Sequence, residues 1–163
     1  MRNLGKLRIV ETLGSWNRWD RDVNVGIRRD RTAQIFDLLM TGKIVSMFGV
    51  RRSGKSFIMR QLAKEGAEKG GEPERTLTIN FEEPEFDGCK LEDLQRIFEA
   101  YKEIVGPSDI PFVFLDEIQN VPRWERFVRA LQEKGEARIV VSGSSSRLLS
   151  EELSHVLAGR QLK

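Results

Sequence analysis

The sequence predicts an α/β fold in which helices cover both faces of a parallel sheet, giving three α/β/α layers. Short apolar runs at 44–48, 77–81, 112–115 and 137–141 have the length and composition of buried strands. Segments whose apolar residues recur at three- and four-residue steps alternate with these runs, as expected of helices. Because each strand is apolar on both faces, both faces need a covering layer, and alternation with helices favours parallel strands.

The helix boundaries follow from capping and breaking residues. Thr32 is expected to be the N-cap of a first helix, which Gly42 ends. An amphipathic pattern covers 91–105, and Pro122 is expected to open the next helix. A last helix is expected after the fourth strand.

Composition limits the class of protein. The chain has 163 residues, of which 39% are hydrophobic, enough for one domain with a real core. The net charge of +2 provides no global field toward nucleic acid or membrane. No apolar run approaches membrane-spanning length or resembles a signal peptide, and the single cysteine, Cys89, suits a reducing compartment. We therefore expect a cytoplasmic protein with no membrane partner.

The charge is unevenly distributed along the chain. Residues 1–31 contain eight Lys or Arg against four Asp or Glu and show no sustained apolar period. We expect a basic N-terminal segment at 1–31, either a solvated surface or a contact for a polyanion, and a core domain at 32–163.

A glycine-rich loop follows the first predicted strand. It fits the phosphate-binding pattern G-x-x-x-x-G-K-S/T and precedes a helical segment that starts near Phe57, which is the context this pattern requires. Glycines allow backbone N–H groups to converge on phosphate oxygens, and the helix N-terminus adds partial positive charge. The predicted nucleotide-binding residues are Gly49, Val50, Arg51, Arg52, Ser53, Gly54, Lys55, Ser56 and Phe57. Lys55 is expected to reach the β- and γ-phosphates, and the Ser56 hydroxyl to bind Mg²⁺.

Two acidic residues end the third predicted strand. Asp116, at the carboxyl end of a parallel strand, is expected to face the ligand crevice and hold Mg²⁺ with Ser56. Glu117 is placed to polarise a water for attack on the γ-phosphate. The alternative is that both acids cap the sheet edge and pair with arginines.

Several runs together resemble the archaeal-type ATPase family of the AAA+ superfamily. They are the phosphate loop at 49–56, the Leu-Asp-Glu-Ile-Gln run at 115–119, the serines at 142–145 and the Leu-Ala-Gly-Arg run at 157–160. The resemblance covers about residues 25–163, and Asp116 lies 61 positions after Lys55, with one extra predicted strand between them. It implies a P-loop NTPase with Walker A and Walker B motifs, and with ATP and Mg²⁺ as ligands.

The resemblance also implies roles for later residues. Ser144 would be sensor 1, contacting the γ-phosphate or the attacking water, with Ser142 as the substitute for that role. Asn80 would restrain Glu117, and Arg160 lies where an arginine finger is found. From the residues alone, the alternatives are that Ser144 is a turn former, that Asn80 is a partner of backbone groups and that Arg160 is a surface arginine.

The resemblance also implies that one strand of the family's sheet is absent from this sequence. Members of the family have a fifth strand after the finger position, then a helical lid. We expect the chain to end before that strand, which leaves the edge of the first strand open to the N-terminal segment or to another copy of the chain.

Three functions are compatible with these residues. The first is a Mg²⁺-dependent ATPase that is weak in isolation, with possible self-association. The second is a nucleotide-gated module that binds a protein or DNA partner with little hydrolysis. The third is a small-molecule kinase, although such kinases usually lack the Asp-Glu pair.

Overall fold

A computed structural model describes residues 9, 13–14, 17, 25, 31–50, 53–70, 72–144 and 161–162 of the chain. Within them, helices and strands alternate as the sequence predicts. The helices are α1 (Arg31–Met40), α2 (Lys55–Gly70), α3 (Leu91–Ile104) and α4 (Trp124–Lys134). The strands are β1 (Ile44–Phe48), β2 (Thr76–Asn80), β3 (Phe112–Asp116), β4 (Arg138–Gly143) and β5 (Gln161–Leu162). Short 3-10 helices lie at Pro73–Arg75, Pro84–Phe86 and Ile118–Asn120.

The five strands form one sheet in the order β2-β3-β4-β1-β5, and all of their pairings are parallel. The predicted α/β fold with a parallel sheet is confirmed. The order places β1 and β3 on either side of β4, so the loops that follow β1 and β3 leave the sheet at the same edge. This edge is where ligands bind in open parallel sheets.

The expected absence of a fifth strand is wrong. Gln161 and Leu162 pair in parallel with Ile44 and Val45, so β1 has a neighbour on both sides. A two-residue strand made of one polar and one apolar residue has no periodicity, and its identity comes from pairing with β1 rather than from local sequence.

Two apolar clusters lie on opposite faces of the sheet. One contains residues of α3 and α4 and the other residues of α1 and α2. Along β3, Val113 and Leu115 belong to the first cluster, whereas Phe112 and Phe114 belong to the second. This alternation is the two-residue period of a strand that is buried on both sides, and it confirms the three-layer arrangement.

Parts of the N-terminal segment belong to the first cluster. Ile9 and Leu13 are in helical conformation and are buried in it. The Asn17 side chain accepts a hydrogen bond from the backbone N–H of Thr78 and donates to its carbonyl at 3.4 Å. Asn17 thus occupies backbone groups of β2, the strand at the other edge of the sheet. The division of the chain at residue 31 stays a prediction.

Two predicted helix starts are displaced. Thr32 lies inside α1, and its buried hydroxyl donates to Gln61 Oε1 at 2.9 Å rather than capping the helix. Helix α4 begins at Trp124, not at Pro122, because Arg123 before it has a left-handed φ of 61°. The predicted last helix lies outside the described residues. No helix in the described part of the chain is long and apolar enough to cross a membrane.

Candidate functional site

The loop after β1 turns tightly into the first residue of α2. Gly54 has a φ of 89°, a conformation that side chains disfavour, and its carbonyl accepts hydrogen bonds from the N–H groups of Phe57 and Ile58, each at 3.1 Å. A Cβ on Gly49 would lie 2.9 Å from Ser53 Oγ. Glycine at both positions therefore matches the geometry of the turn. Arg51 and Arg52 lie outside the described residues.

Lys55 is the first residue of α2, and its side chain folds back over the loop. Its Nζ donates to the carbonyl oxygens of Gly49 at 2.8 Å and Val50 at 3.2 Å. The same ammonium is 3.8 Å from Glu117 Oε1, and both side chains are less than one-tenth exposed. A buried positive charge therefore lies between the glycine loop and the end of β3.

Each carboxylate oxygen of Asp116, the last residue of β3, accepts a hydrogen bond from a serine hydroxyl. Ser56 Oγ donates to Oδ2 at 2.6 Å, and the fully buried Ser142 of β4 donates to Oδ1. The structure thus brings together the two residues for which a magnesium role is predicted. Hydroxyl and carboxylate oxygens are the ligands that Mg²⁺ prefers, so these residues fit such an ion.

Glu117 directly follows β3 in a left-handed conformation, with a φ of 52°. A residue with a side chain rarely adopts this conformation, and such strain is often found at functional sites. Its Oε2 accepts hydrogen bonds from Gln119 Nε2 at 2.7 Å and from the Ser144 N–H at 3.0 Å. Burial raises the pKa of Glu117, but the hydrogen bonds from Gln119 and Ser144 and the charge of Lys55 outweigh it, so the pKa lies below its ordinary value. The carboxyl is ionised at neutral pH.

A cleft of about 460 Å³ opens beside these groups. It is lined by Ser53, Gly54, Lys55, Ser56, Phe57, Arg60, Glu82 and Glu117. Five of these positions belong to the predicted nucleotide-binding set, including Phe57. Val50, in contrast, is 75% exposed.

A family model described as an AAA domain matches residues 41–163, which include the glycine loop, β3 and β4. The chain belongs to the AAA domain family. Its fold is that of the AAA-like P-loop NTPases, which supports the AAA+ superfamily.

Two curated relatives are similar to most of this chain. An uncharacterised protein of Methanocaldococcus jannaschii is 34% identical over 125 residues, which cover 77% of this chain and 26% of that protein. An uncharacterised protein of Haemophilus influenzae is 32% identical over 137 residues, which cover 83% of this chain and 34% of that protein. The chain thus spans about a quarter to a third of the length of these relatives. No solved structure matches it.

Of the remaining predicted residues of the AAA domain, Asn80 is the last residue of β2 and Ser144 directly follows β4. Asn80 is beside Asp116 in the register of β2 and β3, but its side chain accepts from the Glu82 N–H at 3.0 Å and donates to Glu83 at 3.4 Å. Ser144 contacts Glu117 through its backbone N–H. Arg160 lies outside the described residues. The roles of all three stay predictions.

Sequence reasoning did not place Gln119, Arg60 or Glu82 of this AAA domain at the site. Gln119 lies in the 3-10 turn Ile118–Asn120 directly after Glu117, so its position in the Asp-Glu-Ile-Gln run was the available signal. Arg60 is four residues after Ser56 and so lies on the same face of α2. Glu82 follows β2, whose end lies beside that of β3, but no local pattern distinguishes it from the other acids nearby.

Proposed function

We propose that this AAA domain binds ATP together with Mg²⁺ at the 49–56 loop and hydrolyses it, with Glu117 as the general base. One observation carries the proposal: an ammonium, two carboxylates and a hydroxyl meet at one edge of the sheet. Lys55 Nζ is 3.8 Å from Glu117 Oε1, and Ser56 Oγ is 2.6 Å from Asp116 Oδ2. In P-loop enzymes, such groups neutralise the charge of a phosphoryl group and orient the water that attacks it.

Lys55 and the N-terminus of α2 would bind the phosphates. The Lys55 ammonium contacts two neutral carbonyl oxygens, at 2.8 and 3.2 Å. Phosphate oxygens make stronger, charge-assisted hydrogen bonds, so exchanging these partners for a triphosphate is favourable. Because Phe57 and Ile58 donate to the Gly54 carbonyl, the N–H groups of Lys55 and Ser56 are those that the start of α2 would offer to a phosphate.

Ser56 and Asp116 would hold the magnesium ion, which supplies charge neutralisation at the phosphates when bound. Asp116 is held by Ser142 on its other oxygen, so its orientation is fixed before a ligand arrives. Such fixed placement reduces the reorganisation that binding requires.

Glu117 would accept a proton from the attacking water. One of its oxygens, Oε2, is anchored by Gln119 and Ser144, while Oε1 lies on the side of Lys55. A depressed pKa keeps the carboxylate ionised but makes it a weak base, so we expect slow turnover by this chain alone.

The basic N-terminal segment at 1–31 supports a second candidate function. In it, ATP orders a surface for a protein or DNA partner, and hydrolysis is incidental.

Further expectations from the sequence remain proposals for this chain. Self-association is one of them. The run at 116–119 supports placement in the archaeal-type ATPase family. We also propose Ser144 as sensor 1, Asn80 as a restraint on Glu117, Arg160 as a finger and a cytoplasmic location.

Two substitutions test the proposed ATPase. Lys55→Ala should abolish ATP binding, which we expect at about micromolar affinity in the parent chain. Glu117→Gln should keep that affinity and lower turnover at least about 100-fold, the typical contribution of a general base. Lys43→Ala is the matched control, because Lys43 lies before β1 at the opposite edge of the sheet. Wild-type binding by Lys55→Ala would exclude the loop as the phosphate site.

Phosphate release separates the two candidates. A hydrolase releases inorganic phosphate from ATP with a rate that depends on Glu117. A nucleotide-gated module binds ATP through Lys55 but gives the same negligible release with and without Glu117→Gln.

A further inference from the structure

We propose that Gln119 is a positioning residue that fixes the Glu117 carboxylate and links it to Ser144 at the end of β4. This inference rests on the proposed ATPase function, because it gives Gln119 a role through the general base. Nothing in the motif pattern assigns Gln119 this role, and the contacts of its amide group carry the argument.

The Gln119 amide nitrogen bridges two predicted site residues. Its Nε2 is 2.7 Å from Glu117 Oε2 and 3.3 Å from Ser144 Oγ. The Ser144 N–H donates to the same Glu117 oxygen at 3.0 Å. Oε2 is thus fixed by two donors, and Oε1 is left on the side of Lys55, 3.8 Å from its Nζ. The anchored oxygen determines where the other one points.

The turn that carries Gln119 is itself held in place. Ile118 is fully buried, and the Val121 N–H donates to its carbonyl at 2.9 Å. Asn120 Nδ2 donates to the carbonyl of Phe81 at 3.1 Å, which ties the turn to the residue after β2. A side chain on a turn with these contacts has little freedom to leave Glu117, as a positioning role requires.

The electrostatics fix which end of the amide faces Glu117. The carboxylate only accepts hydrogen bonds, so a flipped amide would place two acceptors against each other. In the observed orientation, Gln119 Oε1 is buried and has no hydrogen-bond partner among the described residues. An unpaired buried acceptor destabilises a fold, and an apolar side chain would avoid it. Glutamine at this position is therefore explained by its donor, which Glu117 uses.

The test replaces the donor and keeps the shape. Gln119→Met has the same length without an N–H, and Gln132→Met on α4 is the matched control, since it removes the same amide far from the cleft. We expect Gln119→Met to lower kcat about tenfold, less than the loss of the base itself, with KM for ATP changed less than about twofold. The acid limb of its kcat profile should move to higher pH, because the lost hydrogen bond favoured the ionised carboxylate. Gln132→Met should match the wild type in all three measurements.

The double variant Gln119→Met/Glu117→Gln should be no slower than Glu117→Gln alone, because Gln119 acts only through Glu117. Wild-type kcat and pH profile in Gln119→Met, beside an inactive Glu117→Gln, would overturn the inference and leave the ATPase intact. A rise in kcat would also overturn it, since Gln119 would then restrain the base. Gln119→Asn, which retains an amide but is one methylene too short, replaces Gln119→Met if that variant unfolds.

A second measurement does not depend on hydrolysis. If the wild type releases no phosphate, the proposed function fails, and crystal structures of the wild type and Gln119→Met then decide the role of Gln119. A Glu117 carboxylate that leaves its contact with the Ser144 N–H in Gln119→Met would support positioning. The same carboxylate position in both structures would overturn it.

Discussion

The Ser56 hydroxyl donates to Asp116 Oδ2 at 2.6 Å and joins two residues that are 60 positions apart in the chain. Ser56 is the second residue of α2, and Asp116 is the last residue of β3. Ser142 of β4 donates to the other carboxylate oxygen. Asp116 is thus fixed between a helix and a neighbouring strand.

Ser56→Ala should weaken ATP binding about tenfold in the presence of Mg²⁺ and leave it unchanged in EDTA, because only the metal-dependent part of the affinity uses this hydroxyl. Titration of a fluorescent ATP analogue in both buffers measures the difference. Ser108→Ala, in the exposed connection before β3, is the control. An equal loss of affinity in the two buffers would mean that Ser56 binds phosphate directly or supports the loop.

Most of this site could be predicted because its parts are local. The glycine loop and Lys55 lie within eight consecutive residues, and the Asp116 and Glu117 pair directly follows an apolar strand. Parallel strands then bring these parts to one edge, which is a rule of topology and needs no side-chain detail.

The missed features depend on distant contacts. The β5 strand exists only through its pairing with Ile44 and Val45, and Thr32 turned inward because Gln61 offers it a buried acceptor. No sequence pattern predicts that Leu13 is buried, because Leu13 belongs to a segment without a sustained apolar period. Local pattern contains no information on partners 20 or more residues away.

Gly66→Ala should destabilise the fold by about 1–3 kcal/mol, although alanine is the better helix former by about 1 kcal/mol. A Cβ at this position would lie 3.0–3.3 Å from three atoms of the Phe112 ring. That ring is 2% exposed and packs against Phe36 at a centroid distance of 5.6 Å, so it has little room to move. Urea denaturation of Gly66→Ala, Phe112→Leu and the double variant should show a favourable coupling energy. A more stable Gly66→Ala would contradict the close packing.

Leu13→Ala should cost about 2–5 kcal/mol, the range for truncation of a buried leucine. Leu13 is fully buried in the cluster on the α3 and α4 face. Met40→Ala is the control, because Met40 is 46% exposed and should change stability by less than about 0.5 kcal/mol. Equal stability of the two variants would show that the N-terminal segment does not contribute to the core.

Cys89 should react with iodoacetamide about a thousandfold more slowly in the folded chain than in urea at pH 8, because the thiolate is the reactive form. Burial is the larger cause and the charge of Asp93 the smaller one, and they raise the pKa of this thiol from 9.0 to about 12. Fast labelling of the folded wild type would contradict the burial of Cys89.

The stability of the wild type should fall as the pH drops below about 4.5, in part because of Glu117. Its folded-state pKa lies below the ordinary value of 4.5, since the hydrogen bonds from Gln119 and Ser144 and the charge of Lys55 together outweigh burial. Between the folded-state and unfolded-state pKa values of Glu117, the unfolded chain binds the proton more readily. The contribution of Glu117 to the unfolding free energy is therefore complete above pH 4.5 and is lost as the pH falls through the folded-state pKa.

Glu117→Gln should therefore show a shallower dependence of unfolding free energy on pH, measured by urea denaturation between about pH 3 and 6. Glu99→Gln removes an exposed carboxyl from α3 and should keep the wild-type slope. A slope in Glu117→Gln equal to that of Glu99→Gln would mean that Lys55, Gln119 and Ser144 do not favour the ionised carboxylate in solution.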